Sequence, residues 1–382
     1  MNLMRSNLVL AGLAVVLAVP TGLQLAADAD TFVDVGNIPL LFDGFTVDNV
    51  GQLLLALPKK EQPPSDPANP QQPPKVAYDQ LLLQKTDKGW MLAPAQGQEL
   101  AGAPVNKERV ESDVLLHLRS IRSDRDALVQ PNATPEQLKQ FGLDEAQAFV
   151  VRAIDPTGLN AVAELLVGRD AGAGQTGTEA VRGVFVRKRD SNDVLLYELD
   201  KGWLRSVQQD QWLDRMLAKL DVDKVTKLVV RNAASGPQPF TFQKLDGKSA
   251  WTAIEPPAGL GAVRQSEVEA LVQRFRWIQA QDFKQLLQRT PNRAALGLEP
   301  PQSEFELVVR DGDRERSIKL AVGNKVDDKN EFYLLCSEAP AFLMTWPAGT
   351  VASFELDVKS QLFDPVAPDA PKQGADQPVD KK

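Results

Sequence analysis

Residues 221–251 run Asp221-Val222-Asp223-Lys224-Val225, then Lys227-Leu228-Val229-Val230, then Phe240-Thr241-Phe242-Gln243-Lys244, and close on a lysine- and glycine-bearing turn into Trp251. An earlier stretch has the same order: Thr46-Val47-Asp48-Asn49-Val50, Leu53-Leu54-Leu55, Leu81-Leu82-Leu83-Gln84-Lys85, and Asp87-Lys88-Gly89-Trp90. The chain is therefore read as built twice. The first version differs by an insertion, 58–75, carrying Pro58, Pro63, Pro64, Pro67, Pro70, Pro73 and Pro74. So many prolines exclude a helix or central strand, and the spacing predicts an extended loop decorating a hairpin.

The parallel continues outward. An amphipathic helix is expected after Trp90, with Asn106 as N-cap and Val110, Val114, Leu118 and Ile121 on one face. Its counterpart opens with the capping-box pattern Ser266-Glu267-Val268-Glu269 and carries Val268, Leu271, Val272, Phe275 and Ile278. Thr134-Pro135-Glu136-Gln137 then predicts a short helix stopped at Phe141-Gly142-Leu143, and Thr290-Pro291 a second one stopped at Leu296-Gly297-Leu298. Gly142 and Gly297, like Gly168 and Gly323, stand 155 positions apart, a spacing suited to a duplicated domain and too long for a solenoid unit.

Strand signals follow each stop. They are Phe149 to Ala153, Ala163 to Val167, Gly183 to Arg187 and Val194 to Leu199 in the first version, and Phe305 to Arg310, Ser317 to Val322, Glu331 to Cys336 and Ala341 to Thr345 in the second. Asp155-Pro156-Thr157-Gly158 and Asp311-Gly312 are turns too short for a parallel crossover, so neighbours are antiparallel. The fold class is α+β: two tandem copies of an antiparallel sheet with helices packed on one face, after an N-terminal transmembrane or signal helix. The organisation is 1–30 anchor or signal segment, 38–205 first repeat, 206–220 connecting helix (Trp212, Met216 and Leu220 recurring at i+4), 221–357 second repeat, and 364–382 a disordered tail of Asp, Pro, Gln and Lys.

With 382 residues and 43% hydrophobic content, each copy can bury its own core. A balance of 43 Lys+Arg against 51 Asp+Glu leaves no basic surface for nucleic acid, which is excluded as a partner. Arg5 precedes an uncharged run from Leu8 to Ala27, about 20 residues and enough to span a bilayer. An uncleaved anchor and a signal peptide cut near Ala27-Asp28-Ala29 are the two readings. In both, the charge distribution puts the body in the periplasm or extracytoplasmic space.

Little reactive equipment is present. His117 is the sole histidine, expected on the surface of the first amphipathic helix, and Cys336 is the sole cysteine, expected as a buried inert thiol. Gly172-Ala173-Gly174-Gln175-Thr176-Gly177 fits a dinucleotide fingerprint letter for letter, but a strand follows it where a helix is required. Asp221 with Asp223, and Asp327, Asp328 and Glu331, do not complete a calcium loop. Trp90 and Trp251 are read as core anchors rather than ligand stackers. No catalytic, cofactor-binding or metal residue is assigned, no cofactor is expected, and the protein is read as not an enzyme.

Taken together, the apolar N-terminal run, the acidic-valine entries (Asp48 to Val50, Asp223 to Val225), Trp90 and Trp251 before short strands, and the paired Gly-Leu and Gly positions resemble a bacterial family, domain-of-unknown-function family 4340. The family usually has a proline after Gly-Leu. Pro300 supplies it after the second stop, whereas Asp144-Glu145 follows the first. The resemblance implies a membrane-anchored extracytoplasmic protein, often encoded beside a gliding-type ABC transport system. It brings no catalytic residue. The function expected is an accessory or binding protein tethered to the membrane, with ABC transporter subunits as partners. The alternatives are a cell-envelope hydrolase using acidic residues in an interdomain cleft, and a glycan- or lipid-binding module.

Overall fold

The computed structural model describes residues 39–59, 76–123, 125–171, 183–198, 205–245, 249–290 and 292–366. The expected anchor or signal segment, nearly all of the proline insertion, the glycine loop 172–177, Pro291 and most of the tail lie outside these residues. Among the described residues no helix is long and apolar enough to cross a membrane. They fall into two compact units: those up to Asp79 with Glu111–Arg205, and Gln80–Val110 with those from Ser206 onward.

One eight-stranded sheet contains β1 (Gln52–Pro58), β2 (Tyr78–Thr86), β3 (Gly89–Leu92), β4 (Leu128–Gln130), β5 (Phe149–Ile154), β6 (Ala161–Ala171), β7 (Gly183–Lys188) and β8 (Val194–Glu198). Its spatial order is β3-β2-β1-β5-β6-β7-β8-β4. A small ribbon pairs β9 (Met216–Lys219) with β13 (Trp277–Gln279). The second large sheet takes β10 (Val225–Arg231), β11 (Phe240–Lys244), β12 (Trp251–Ile254), β14 (Asp282–Leu286), β15 (Ser303–Asp311), β16 (Arg314–Lys325), β17 (Glu331–Cys336) and β18 (Phe342–Pro347). Its order, β12-β11-β10-β15-β16-β17-β18-β14, repeats the first sheet strand for strand. The fold is thus α+β with two copies of one antiparallel sheet.

Each copy begins alike. Val47–Asn49 and Val222–Lys224 are single 3-10 turns, closed by the Val50 and Val225 amides on the Val47 and Val222 carbonyls. The acidic-valine motif is therefore a turn that drops a fully buried valine into the sheet. Register then aligns the apolar residues in rows across strands. Phe240, Val230, Phe305, Leu320 and Cys336 form one such row, every member buried. Onto this face pack Phe275, 5.5 Å from Phe305, and Phe354, stacked on Trp346 at 5.2 Å. Phe275 caps helix Gln265–Arg274, and Phe354 ends helix Ala348–Phe354. Both helices thereby cover the same face.

The glycine pairs are two halves of one contact, made once in each copy. Thr134 caps helix Pro135–Gln140 with the full reciprocal box to Gln137 and proline at N1, as its sequence predicts. The helix ends with Gly142 at φ 71°, its amide on the Lys139 carbonyl and that of Leu143 on Leu138, a Schellman closure. In the second copy Gly297 stands at φ 65°, its amide bonds the Ala294 carbonyl, and that of Leu298 bonds Arg293. Each stop sits on a bulge of the neighbouring strand, between Val167 and Asp170 or between Val322 and Lys325. The bulge frees an amide: Arg169 donates to Phe141 O at 3.0 Å and Asn324 to Leu296 O at 2.7 Å. A Cβ at Gly168 or Gly323 would lie 2.3 Å from that same carbonyl oxygen.

Four expectations are corrected. The connecting helix 206–220 is absent: a 3-10 turn, Gln209–Gln211, leads to Trp212, and Met216–Lys219 is strand β9, with Ala218 opposite Ile278. The Asp214 carboxylate accepts the Met216 amide at 3.0 Å, a local bond that competes with helix. The capping box at Ser266 does not form, because the helix starts two residues earlier, with Arg264 at N-cap. Gln265 instead brackets Trp251, accepting its amide at 2.7 Å and donating to its carbonyl at 2.9 Å, while Glu269 accepts the Trp251 indole N–H at 2.9 Å. Ile278 is buried, but on β13 beyond the helix. Finally, the described residues before Gly297 form hydrogen-bonded turns where a short helix is expected; Asn292 Oδ1 takes the Ala295 amide at 2.9 Å.

Candidate functional site

Each copy has a groove near the end of its sheet order, but the two do not coincide: Leu128, Lys188 and Leu195, which line the first, stand in register where the second copy has Phe283, Cys336 and Met344, outside the lining of its groove. In the first copy it holds about 300 Å³ and is lined by Leu41, Ser123, Arg125, Leu128, Lys188, Ser191, Asp193 and Leu195. One wall is residues 39–41 laid against the helix exit: Leu41 N–H bonds Ile121 O at 2.8 Å and Ser123 N–H bonds Pro39 O at 2.9 Å. The other wall is the turn between β7 and β8, where Asp193 Oδ1 accepts the Asn132 amide at 2.9 Å and Asn192 O accepts that of Ala133 at 2.9 Å. In the second copy the groove holds about 310 Å³ and is lined by Leu286, Leu287, Gln288, Arg293, Pro340 and Ala341. There Arg293 pairs with Glu299 at 3.1 Å. Among the described residues the first groove carries two cations, Arg125 and Lys188, against one carboxylate, Asp193. The second is mostly apolar.

The sole histidine lies in the first copy too. Asn106 caps its helix as expected, Oδ1 taking the Arg109 amide at 3.2 Å. The helix runs through Lys107–Val110, a π-helical Glu111–Leu115 and Leu116–Ser120, burying Val110, Val114, Leu115 and Leu118. Ser120 Oγ donates to His117 O at 3.0 Å, so Tyr197 O–H donates to Ser120 Oγ at 2.7 Å. The Tyr197 oxygen then accepts from His117 Nδ1–H at 3.0 Å, which fixes the neutral tautomer. Because the imidazole bonds the phenol and not the serine, the trio does not have the geometry of a serine activated by histidine. Its role is to tie the helix end to β8.

Burial pushes the His117 pKa below its ordinary value, with Asp113 pulling the other way. Proton uptake therefore favours the unfolded chain. The stability this group contributes is whole above the unfolded value of about 6.5 and is lost as pH falls through the lower folded one. Since no other histidine exists, one imidazole resonance followed by NMR should titrate with a midpoint below about 6.5, and Tyr197→Phe should shift it. A midpoint at the free-histidine value in both proteins would contradict the wiring.

The other sequence candidates are placed as follows. Cys336 is buried at the end of its apolar row, and burial pushes its thiol up to about 11. Trp90 and Trp251 are both 2% exposed, which removes them from any ligand-stacking surface. Asp221, Asp223, Asp327 and Asp328 are exposed, and among the described residues no three His, Cys, Asp or Glu converge as for a metal ion. Glu331 belongs to an ion triad that sequence reading missed. Lys284 Nζ lies 2.7 Å from Asp282 Oδ2 and 3.5 Å from Glu331 Oε2, the three drawn together by β14 and β17 flanking β18. Burial works against the charge on Lys284, but the bond to Asp282 and the two carboxylates carry its pKa upward.

The fold defines a duplicated α+β scaffold whose shared residues are framework and whose grooves lie at different positions in the two copies. The chain matches the family model of a domain of unknown function (DUF4340) over residues 96–293, just over half its length, and belongs to that family. No curated protein and no solved structure matches it.

Proposed function

We propose that this protein is a non-enzymatic accessory protein of the cell envelope, a duplicated binding scaffold tethered by the run Leu8 to Ala27 with its body outside the membrane. It works beside an ABC-type transport system. The observation that carries this reading is the division of labour between the copies. The residues they share, Trp90 and Trp251, Gly142 and Gly297, Gly168 and Gly323, are buried or bound up in turns and bulges, while the position of the buried thiol Cys336 in one copy is held in the other by Lys188, which lines a groove. A duplicated enzyme would be expected to repeat its reactive residues; a duplicated scaffold repeats its frame. Alkaline carbonate extraction of native membranes is the test, with the N-terminal peptide followed by mass spectrometry. The protein should stay in the pellet with that peptide attached. Release into the supernatant with a new N-terminus near Ala27 would refute the tether.

A further inference from the structure

We propose that the first copy's groove captures the C-terminal carboxylate of an extended polypeptide, which lies along β4 as an added strand. The inference rests on the reading of the chain as a binding scaffold and supplies the class of ligand. Its starting point is a mismatch between the copies. In the first sheet Leu55, Val151 and Leu165 stand in register, all fully buried, and the next residue of the row is Lys188. In the second, Val230, Phe305 and Leu320 lead to Cys336, a buried thiol. The same position thus ends the core in one copy and places an ammonium group at the groove in the other. Lys188 has an ion partner at 3.3 Å, Asp190, but that carboxylate is 71% exposed, and such surface pairs hold weakly.

Arg125 lines the same groove, so that among the described residues of the lining two cations face one carboxylate, Asp193. The site therefore favours an anion. Leu41, Leu128 and Leu195 add an apolar floor, so the anion must be carried on an apolar body. β4 ends the sheet order, and among the described residues no strand pairs with its outer edge, the position at which another strand adds. A carboxylate, apolar side chains and a backbone that pairs with a sheet edge are together the terminus of a polypeptide. The groove of the second copy offers no such match, since Arg293 is the single cation of its lining among the described residues and its neighbours are chiefly apolar.

The test uses the full-length protein in detergent micelles and two peptide libraries randomised at the last three positions, one ending in a free carboxylate and one in an amide. Free-carboxylate peptides with apolar last residues should be retained, and their amides should bind at least about tenfold more weakly. Arg125→Gln and Lys188→Gln should each reproduce that loss, with circular dichroism showing both folded, whereas Arg293→Gln should bind as the parent does. Backbone N-methylation of a selected peptide at alternate residues should abolish binding in one of the two phases and spare it in the other. Equal retention of amides, undiminished binding by the two groove variants, octanoate competing as well as the peptide, or no retention at all would each overturn the proposal. Carbonate extraction reads out the tether independently, so failure of one does not mimic failure of the other.

Discussion

Trp251→Ala is expected to destabilise the second copy by about 3–5 kcal/mol, the range for truncating a large buried aromatic. The indole is 2% exposed, its N–H donates to Glu269 Oε1 at 2.9 Å, and Lys244 Nζ stands 4.7 Å from the ring centroid. Lys244 is itself paired with Glu269 at 3.1 Å, so ring, ammonium and carboxylate form a closed set joining β11, β12 and the helix Gln265–Arg274. Removing the ring leaves a cavity and also takes away a donor to the Glu269 carboxylate. Trp251→Phe keeps most of the volume and should cost less, about 1–2 kcal/mol for the lost bond. Guanidinium unfolding followed by circular dichroism measures both. If the alanine variant unfolded within about 1 kcal/mol of the parent, the residue would not be a core anchor.

Gly323→Ala and Gly168→Ala should each cost about 1–3 kcal/mol, toward the upper end of that range, and by similar amounts. The obstacle is backbone rather than side chain. A new methyl would lie 2.3 Å from Leu296 O in one copy and from Phe141 O in the other, and those carbonyls are held by the Asn324 and Arg169 amides. Neither turn can retreat without losing that bond and the leucine packed beside it. Gly312 makes a control, because a Cβ there meets nothing within 4 Å, although its φ of 62° still penalises alanine. Denaturation midpoints should fall for both bulge variants. A loss in one copy with none in the other would show that the two stops are not the same device.

Much of this architecture was legible because the punctuation is chemical. Thr134-Pro135 with Gln137, then Gly142-Leu143, states a helix start and stop, and the structure places every one of those residues in its expected role. Turns such as Asp311-Gly312 fixed antiparallel pairing. What the sequence could not show was held by register alone. β4 has three residues and β14 buries only Phe283, so neither displays a period, and both exist because β8 and β18 present a partner. The run Trp212, Met216, Leu220 fits helix spacing, yet all that its burial required was an apolar edge for the ribbon with β13. The groove was invisible for the same reason. Its lining comes from residues near 41, 125 and 190, and Lys188 reads as an ordinary strand end until its row is set beside that of Cys336.

The side on which the body lies can be measured through Leu159, which is 81% exposed at the tip of the hairpin joining β5 and β6. That turn is pinned by Asp155, whose carboxylate accepts from the Thr157 hydroxyl at 2.6 Å and from Asn160 Nδ2 at 2.9 Å, bonds that draw its pKa down to about 2. A Leu159→Cys substitution therefore presents a thiol on a firm, exposed turn, while the native Cys336 stays silent in its row. Intact cells expressing this variant would be treated with a membrane-impermeant maleimide and the membrane fraction then pelleted in carbonate. Labelling without permeabilisation, on protein that remains in the pellet, is the result expected of a tethered body outside the membrane. Labelling only after lysis, or only on protein released from the membrane, would contradict it.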